Sequence, residues 1–394
     1  MVSKLIFRKY RLSILYTILL LVFANCSRHF IRDLIKMKPE DTTILISAVG
    51  DIMVHSTQLT SAFDPKCKCY NFDPVFKDVK NYLLGSDITF GNLETTLPGD
   101  PKLFAGYPQF GAPDELVYTL KDIGFDIVTT SNNHSVDTGR KGIDHTIDTL
   151  DKVGIKHLGT YKSQEEFEKN RILLYRVKDF TIAFLSYTYS TNGILVPKDK
   201  VVNLIDKARI SEDIELAKSL KPDLVVVCYH FGTEYARFPD KFQKEMVDFA
   251  FLEGADIILG GHPHVLQPYQ VSLLEDKYGE KKQRMVIYSL GNFVSGQIKR
   301  YTNGGMIFNF KLTKTIRDGK SEISIRDIEY VPVFVYVSNE KTGYQYNLLP
   351  VEKYLKNDQE LKLTPQAYRS MLEFYEDTNS HLQKNSILGV NFVP

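Results

Sequence analysis

Two histidines two residues apart close an apolar run, Ile258-Leu259-Gly260-Gly261-His262-Pro263-His264-Val265. Imidazole is the commonest neutral metal ligand among side chains. In an extended backbone, alternate side chains point the same way, so His262 and His264 are expected to converge on one point. The glycines allow a sharp turn and leave room for a bulky centre beside the backbone. Four other apolar runs also end in a polar group: Asp51 after 43–50, Glu94 after 87–90, Asn133-His134 after 125–130, and His230 after 223–229. Strand ends in α/β sheets gather on one edge, where sites form. Carboxylates, an amide and histidines make a mixed oxygen and nitrogen ligand set, suited to Mn, Fe, Zn or Mg rather than to a thiolate site. The set is too large for one tetrahedral ion. It suits two divalent ions roughly 3.5–4 Å apart, sharing a bridging carboxylate. Asn133 can ligate through its carbonyl oxygen, and His134 can protonate a leaving oxygen.

Those residues need elements to hold them. Apolar runs predict strands over 43–50, 87–90, 125–130, 171–178, 180–189, 223–229, 256–259, 285–290, 305–312 and 322–335. The segments 171–178 and 180–189 read as a hairpin. Helical spacing covers 71–84, 116–123, 139–153, 211–220, 242–252 and 365–375, with Ser211 read as a helix cap. Strands alternate with helices early and follow one another later, which predicts an α/β fold with a mixed sheet or two packed sheets flanked by helices.

The N-terminus is basic through Arg11, uncharged from Leu12 to Ala24, and then reads Asn25-Cys26-Ser27. That order matches a secretory signal, and the apolar stretch is short of the roughly 20 residues that a membrane span needs. Cys26 after it resembles a bacterial lipobox, although Phe23-Ala24-Asn25 departs from the commonest form. The expected organisation is a lipoprotein signal peptide over 1–25, a tether over 26–41, one domain over 42–340 and a C-terminal extension over 341–394. The bulk of the chain is then expected outside the cytoplasm, held to a cell-envelope membrane by lipid on Cys26 or, where the leader stays uncleaved, by the N-terminal segment as an anchor helix. A net charge of +1 on 394 residues gives no electrostatic basis for nucleic-acid binding. Cys228 ends an apolar strand and is expected to be buried. Cys67 and Cys69 lack a second pair to complete a metal site, so a loop thiol pair or a local disulfide is expected.

The stretches Ala48–Met53, Asn92–Glu94, Ser131–Gly139, His230–Tyr235, Gly260–Val265 and Tyr288–Phe293 together resemble the CapA family, associated with poly-γ-glutamate capsule synthesis. The resemblance covers about 43–310. It implies a metallophosphoesterase-like sandwich of two mixed β-sheets flanked by helices. It also implies Asp51 on a first metal, Glu94 in the place of a bridging aspartate, and Asn133, His230 and His262 on a second metal. His264 would return to the first metal, and His134 would assist the leaving group. The usual Asp-x-His is Asp51-Ile52-Met53 here, so one histidine is missing. His55 is expected either to replace it or to pack a loop.

Asp137 is expected to cap the helix near Gly139. Glu234 is a candidate to orient His230. Asn92 and Asn292 are candidates to shape the site or contact substrate, Asn292 alternatively serving a turn. His145 and His157 are expected to be structural. Two functions follow. One is a metal-dependent hydrolase in which a metal-bound hydroxide attacks a phosphoester or an amide. The other is a non-catalytic capsule-assembly or surface-binding lipoprotein with a partial metal site. Either would meet an anionic polymer, and other capsule-synthesis proteins are possible partners.

Overall fold

A computed structural model describes residues 41–317, 320–340, 343–356 and 361–389. The leader, Cys26 and most of the tether lie outside the described residues. The chain divides into two compact units. Among the described residues, the larger takes in 43–313 and those from 323 onward, and the smaller 41–42, 314–317 and 320–322.

Two sheets dominate. The first includes Asp41–Ile52, Ile88–Leu93, Ile127–Thr129 and Lys156–Leu158 in a parallel run, with Asn292–Val294 also parallel to Asp41–Ile52. Gly304–Arg317, Lys320–Glu340 and Gly343–Pro350 extend its other side, the last two antiparallel. The second sheet has Phe180–Thr188, Leu224–His230, Ile257–Gly261 and Lys281–Ile287 in parallel register. Antiparallel strands Leu173–Val177 and Tyr269–Glu275 flank them, and Ile387–Leu388 pairs with the latter. Both sheets are therefore mixed, as the resemblance implies, and of the alternatives that the alternation of elements left open, two packed sheets is the one found.

Strand chemistry explains the layering. Leu224, Val226 and Cys228 face the first sheet, while Val225, Val227 and Tyr229 face helices. Such strands are apolar without interruption because both faces are buried. Phe90 stacks on Phe184 across the interface, with centroids 6.4 Å apart. Helices Lys207–Ser219 and Lys241–Glu253 cover the second sheet, and Glu115–Asp122 and the short helices of 56–83 contribute to the outer core of the first. Gly50 is required where the first strand meets the loop before Asn292: a Cβ there would lie 1.8 Å from the Gly291 carbonyl oxygen.

Several local expectations are corrected. The helix over 71–84 is two short helices, Asp73–Phe76 and Lys80–Leu83. The turn between them brings Asp78 to the Tyr354 hydroxyl and the Lys353 ammonium. Ser211 is not a cap. The helix begins at Lys207, the Asp206 carboxylate accepts from the Arg209 N–H, and the Ser211 hydroxyl bonds Glu253 inside the helix. The last helix runs Pro365–Asn385, well past 375, because its apolar side continues through Thr378 and Leu382. Cys67 and Cys69 form a disulfide, and Cys228 is buried and free.

One buried ion cluster is independent of the site. Arg284 is fully buried, 2.9 Å from Asp276 and 3.3 Å from Asp256. Removing the cation from such a group leaves uncompensated buried carboxylates. Arg284→Met is expected to cost about 3 kcal/mol in chemical denaturation, with metal binding by the folded fraction unchanged. A loss near zero would mean that the neighbouring backbone N–H donors and lysines suffice.

Candidate metal centre

The parallel strands of both sheets deliver their C-terminal ends to one place. Asp51 is the penultimate residue of the first strand, Glu94 follows Ile88–Leu93, His230 ends Leu224–His230, and His262 and His264 follow Ile257–Gly261. Asp51, Glu94 and His230 offer ligand atoms within 4.8 Å of one another, and so do Glu94, His262 and His264, a grouping that differs from the expected one, in which Asp51 went with His264 and His230 with His262. All five side chains are buried. Glu94 belongs to both groups: its Oε1 lies 3.5 Å from His230 Nε2 and 3.9 Å from His264 Nε2.

The convergence of His262 and His264 does not come from an extended backbone. Their φ values are +97° and +58°. Such angles strain residues other than glycine and are retained where the surroundings impose them. Here Asp51 Oδ2 accepts from the His262 backbone N–H at 3.3 Å and faces His264 Nδ1 at 3.1 Å. Gly261 is needed for the same approach, since a Cβ on it would lie 2.8 Å from Asp51 Oδ1.

Amides hold the candidate ligands. Asn92 Nδ2 lies 2.8 Å from Asp51 Oδ1 and 3.2 Å from His230 Nδ1. His230 Nε2 lies 2.7 Å from Asn133 Oδ1, which puts Asn133 at the centre's edge. Asn292 Oδ1 accepts from His264 Nδ1 at 3.1 Å, a positioning contact rather than only a turn. Asn132, which sequence reasoning passed over, donates to Asn92 Oδ1 and to the Leu93 carbonyl. Tyr189, also missed, packs its ring 4.4 Å from that of His262. Neither carries a spacing signal, because each acts through a residue distant in sequence.

His134 stands apart from the ligand groups. Its Nδ1 lies 2.6 Å from Asp137 Oδ2, and its ring meets Phe110 edge-on at 4.6 Å. Asp137 is thus not the expected helix cap: its carboxylate takes His134 and the Phe110 N–H, while Thr138 occupies the cap position. The i, i+3 spacing of His134 and Asp137 was the available signal. His55 lies outside both ligand groups; its Nδ1 accepts from the Gly296 N–H, and its backbone N–H donates to Gln58. Glu234 is exposed and makes no hydrogen bond to His230, whose nitrogens are already taken by the two asparagines. Instead, Glu234 lines an open cavity of about 360 Å³ with Met53, His55, Tyr107, His134, Tyr235, His264 and Gln297. His145 pairs with Asp114 and His157 with Asp151, away from the centre.

The centre fits a cation. Among the described residues, both Glu94 oxygens and His262 Nδ1 are buried without a hydrogen-bond partner, and such groups are costly unless something satisfies them. Protons take that part in the metal-free site. Burial, reinforced by the Asp51 charge, pushes Glu94 up to about 8. For His264 burial works downward, but the carboxylates of Glu94 and Asp51 prevail and raise it to about 9. Burial would raise Asp51, yet the bond to His264 and its charge hold it at about 2. Burial keeps His230 and His262 neutral, at about 3 and about 2.

These shifts predict a pH dependence. Glu94 keeps its proton in the fold after the unfolded chain has lost it, so stability falls as pH rises from 4.5 to about 8. The contribution of His264 is complete below 6.5 and lost as pH rises through about 9. Metal-free protein is therefore expected to lose stability between neutral and mildly alkaline pH, with Glu94 and His264 titrating as one coupled pair. Divalent metal displaces those protons, so its affinity rises over the same range. Thermal melts with and without chelator test this; a metal-free melting temperature that climbs from pH 6.5 to 9 contradicts it.

The sequence pattern of the family described as bacterial capsule synthesis protein PGA_cap matches residues 45–297. The capsule biosynthesis protein CapA of Bacillus anthracis is 32% identical over 270 residues, 66% of this chain and 61% of that protein. The chain thus spans about three fifths of that relative's length. The PGA biosynthesis protein CapA of Bacillus subtilis is 29% identical over 291 residues, 73% of this chain and 72% of that one. Among solved structures, the calcineurin-like phosphoesterase YfkN of Bacillus subtilis gives a TM-score of 0.41 at 12% identity, covering 87% of this chain and all of that one.

Proposed function

The chain belongs to the PGA_cap family of bacterial capsule synthesis proteins, and from that premise we propose that it is a metal-dependent hydrolase acting on a capsule-type polymer or its precursor. The observation that carries this reading is Glu94, a fully buried carboxylate with no hydrogen-bond donor, shared by two ligand groups. Asp51, Glu94 and His230, with Asn133 beside them, would hold one divalent ion. Glu94, His262 and His264 would hold the other. Bound there, such ions supply Lewis acidity to a scissile phosphoester or amide and to water.

The remaining work falls to the chain. Asn92 fixes Asp51 and His230, and Asn292 fixes His264. Asp137 holds the proton of His134 on Nδ1, leaving Nε2 to deliver a second proton to a leaving oxygen or nitrogen. Tyr107, Tyr235 and Glu234 frame the mouth. No lysine or arginine lines that cavity among the described residues, so attraction for an anionic polymer would come from the ions. We place the protein outside the cytoplasm, anchored through lipid on Cys26; among the described residues no helix is long and apolar enough to cross a membrane.

One observation favours a second reading, a non-catalytic assembly component that binds polymer through the ions. Met53 lines the cavity where the phosphoesterase pattern would place a histidine, and His55 is engaged with Gly296 instead. Metal stoichiometry with turnover decides. The full chain would be assayed on p-nitrophenyl phosphate, a phosphodiester analogue and a γ-glutamyl peptide, beside His262→Ala. About two ions per chain, with turnover lost in the variant, supports the hydrolase. Bound metal without turnover on any substrate supports the assembly role, and absence of metal from wild type removes both.

A further inference from the structure

We infer that Asp377 and His381, on the C-terminal helix, are positioning residues that set the mouth of the metal centre by holding its two bordering loops. The functional part of this inference rests on the hydrolase reading; the mechanical part does not. The loops are 231–240, which brings Glu234 and Tyr235 to the cavity, and 295–303, which brings Gly296 and Gln297.

Both loops end on one helix face. Asp377 takes Arg300 in a two-point bond, Oδ2 to Nε at 2.8 Å and Oδ1 to Nη2 at 2.9 Å. The backbone carbonyl of the same Asp377 accepts from Arg237 Nη2 at 3.0 Å. One turn on, His381 Nε2 donates to the Arg237 carbonyl at 2.8 Å, and its ring meets Phe238 edge-on at 5.0 Å. Glu373, one turn back, lies 3.4 Å from Arg300. Positions 373, 377 and 381 share a face by their spacing. The two loops also touch each other, since the guanidinium groups of Arg237 and Arg300 both lie over the Tyr301 ring, at 4.2 and 5.0 Å.

The helix is a firm base. Met371 and Phe374 pack with Phe334, Tyr336 and Leu349, and Leu382 enters the core between the sheets. From the loops the contacts run on to the centre. Tyr235 N–H donates to the Pro263 carbonyl, between the two histidine ligands. Asn292, which holds His264, donates to the Thr302 carbonyl and to Gln297 Oε1. The helix lies beyond the residues that the family pattern matches.

The Asp377–Arg300 pair is half open to solvent, with Arg300 54% exposed, so its worth to global stability is small. Its effect is geometric. Bidentate bonds fix orientation as well as distance, and a misplaced substrate contact costs rate without loss of fold.

The test uses full-length, metal-loaded Asp377→Ala and His381→Ala. Amide hydrogen exchange is read over 231–240 and 295–303, and KM and kcat are read on the best substrate of the panel above. The expected result is at least ~10-fold faster exchange in 295–303 for Asp377→Ala and in 231–240 for His381→Ala, local opening without global loss. KM should rise ~10-fold with kcat and metal stoichiometry near wild type, and Asp377→Glu should restore most of the exchange protection. Unchanged exchange in both loops overturns the inference. So does faster exchange with KM unmoved, or faster exchange spread over the whole helix and both sheets. If wild type turns over nothing, the hydrolase reading fails separately, and exchange alone decides whether the helix holds the loops.

Discussion

Glu94→Gln is expected to empty the centre of both ions and to lower turnover at least ~1000-fold, a larger loss than removing any other single ligand. Glu94 is shared by the two ligand groups, whereas Asp51, His230, His262 and His264 each belong to one. Glutamine keeps the shape but removes the charge, and its amide places donors where cations would sit. The same change should stabilise the metal-free protein at alkaline pH. Above about 8 the wild-type carboxylate is ionised in a buried place with no donor, and the Asp51 charge is close by. The neutral amide avoids that cost, so the metal-free melting temperature of Glu94→Gln should match wild type near pH 4.5 and exceed it by a margin that grows up to about pH 8. Metal analysis, calorimetry and melts with chelator read the two halves independently. Retention of two ions by Glu94→Gln would show that the bridging position belongs elsewhere. A lower metal-free melting temperature at pH 9 would show that Glu94 is satisfied by a contact other than a cation.

The candidate ligand groups were legible as a cluster because each member sits where an apolar run stops. A buried parallel strand must be apolar along its length, so a lone Asp51 or His230 at its end stands out against Ile44–Val49 or Leu224–Tyr229. Grouping five such ends required only that parallel strands share a direction. Less was visible in how the ligands are held. His262 and His264 converge through strained left-handed backbone around Pro263, not through alternation along a strand. Asn132 acts on Asn92 from 40 positions away, and Asp377 reaches Arg300 from 77. Hydrogen bonds of that range leave no periodicity behind. Ser211 misled for the opposite reason: its type and acidic neighbours suit a cap, but Asp206 comes earlier and the hydroxyl is engaged by Glu253. The two short helices of 73–83 preserve the predicted apolar face while breaking the predicted rod, since burial of Val75, Phe76, Val79 and Leu83 fixes the face and Asp78 fixes the turn.

His134→Ala is expected to separate leaving groups. His134 lies outside both ligand groups and opens on the cavity, so its loss should leave metal content unchanged. Its Nδ1 is committed to Asp137, so only Nε2 is free to pass a proton to the departing atom. General acid catalysis of this kind contributes about 100- to 10,000-fold, but only where the leaving group needs the proton. An alkyl phosphate or a γ-glutamyl amide departs as a strong base and should lose about 1000-fold in kcat in the variant. p-Nitrophenolate is a stable anion, and its ester should lose about tenfold or less. Asp137→Ala should repeat the pattern more weakly, because the imidazole stays but its tautomer and orientation are no longer fixed. The Phe110 N–H, which Asp137 also accepts, loses its partner too, so a melt must accompany the kinetics. A loss of equal size on every leaving group would assign His134 to binding or to the attacking water. No loss on any substrate would remove His134 from the reaction and strengthen the assembly reading, in which the ions hold polymer and no bond is cut.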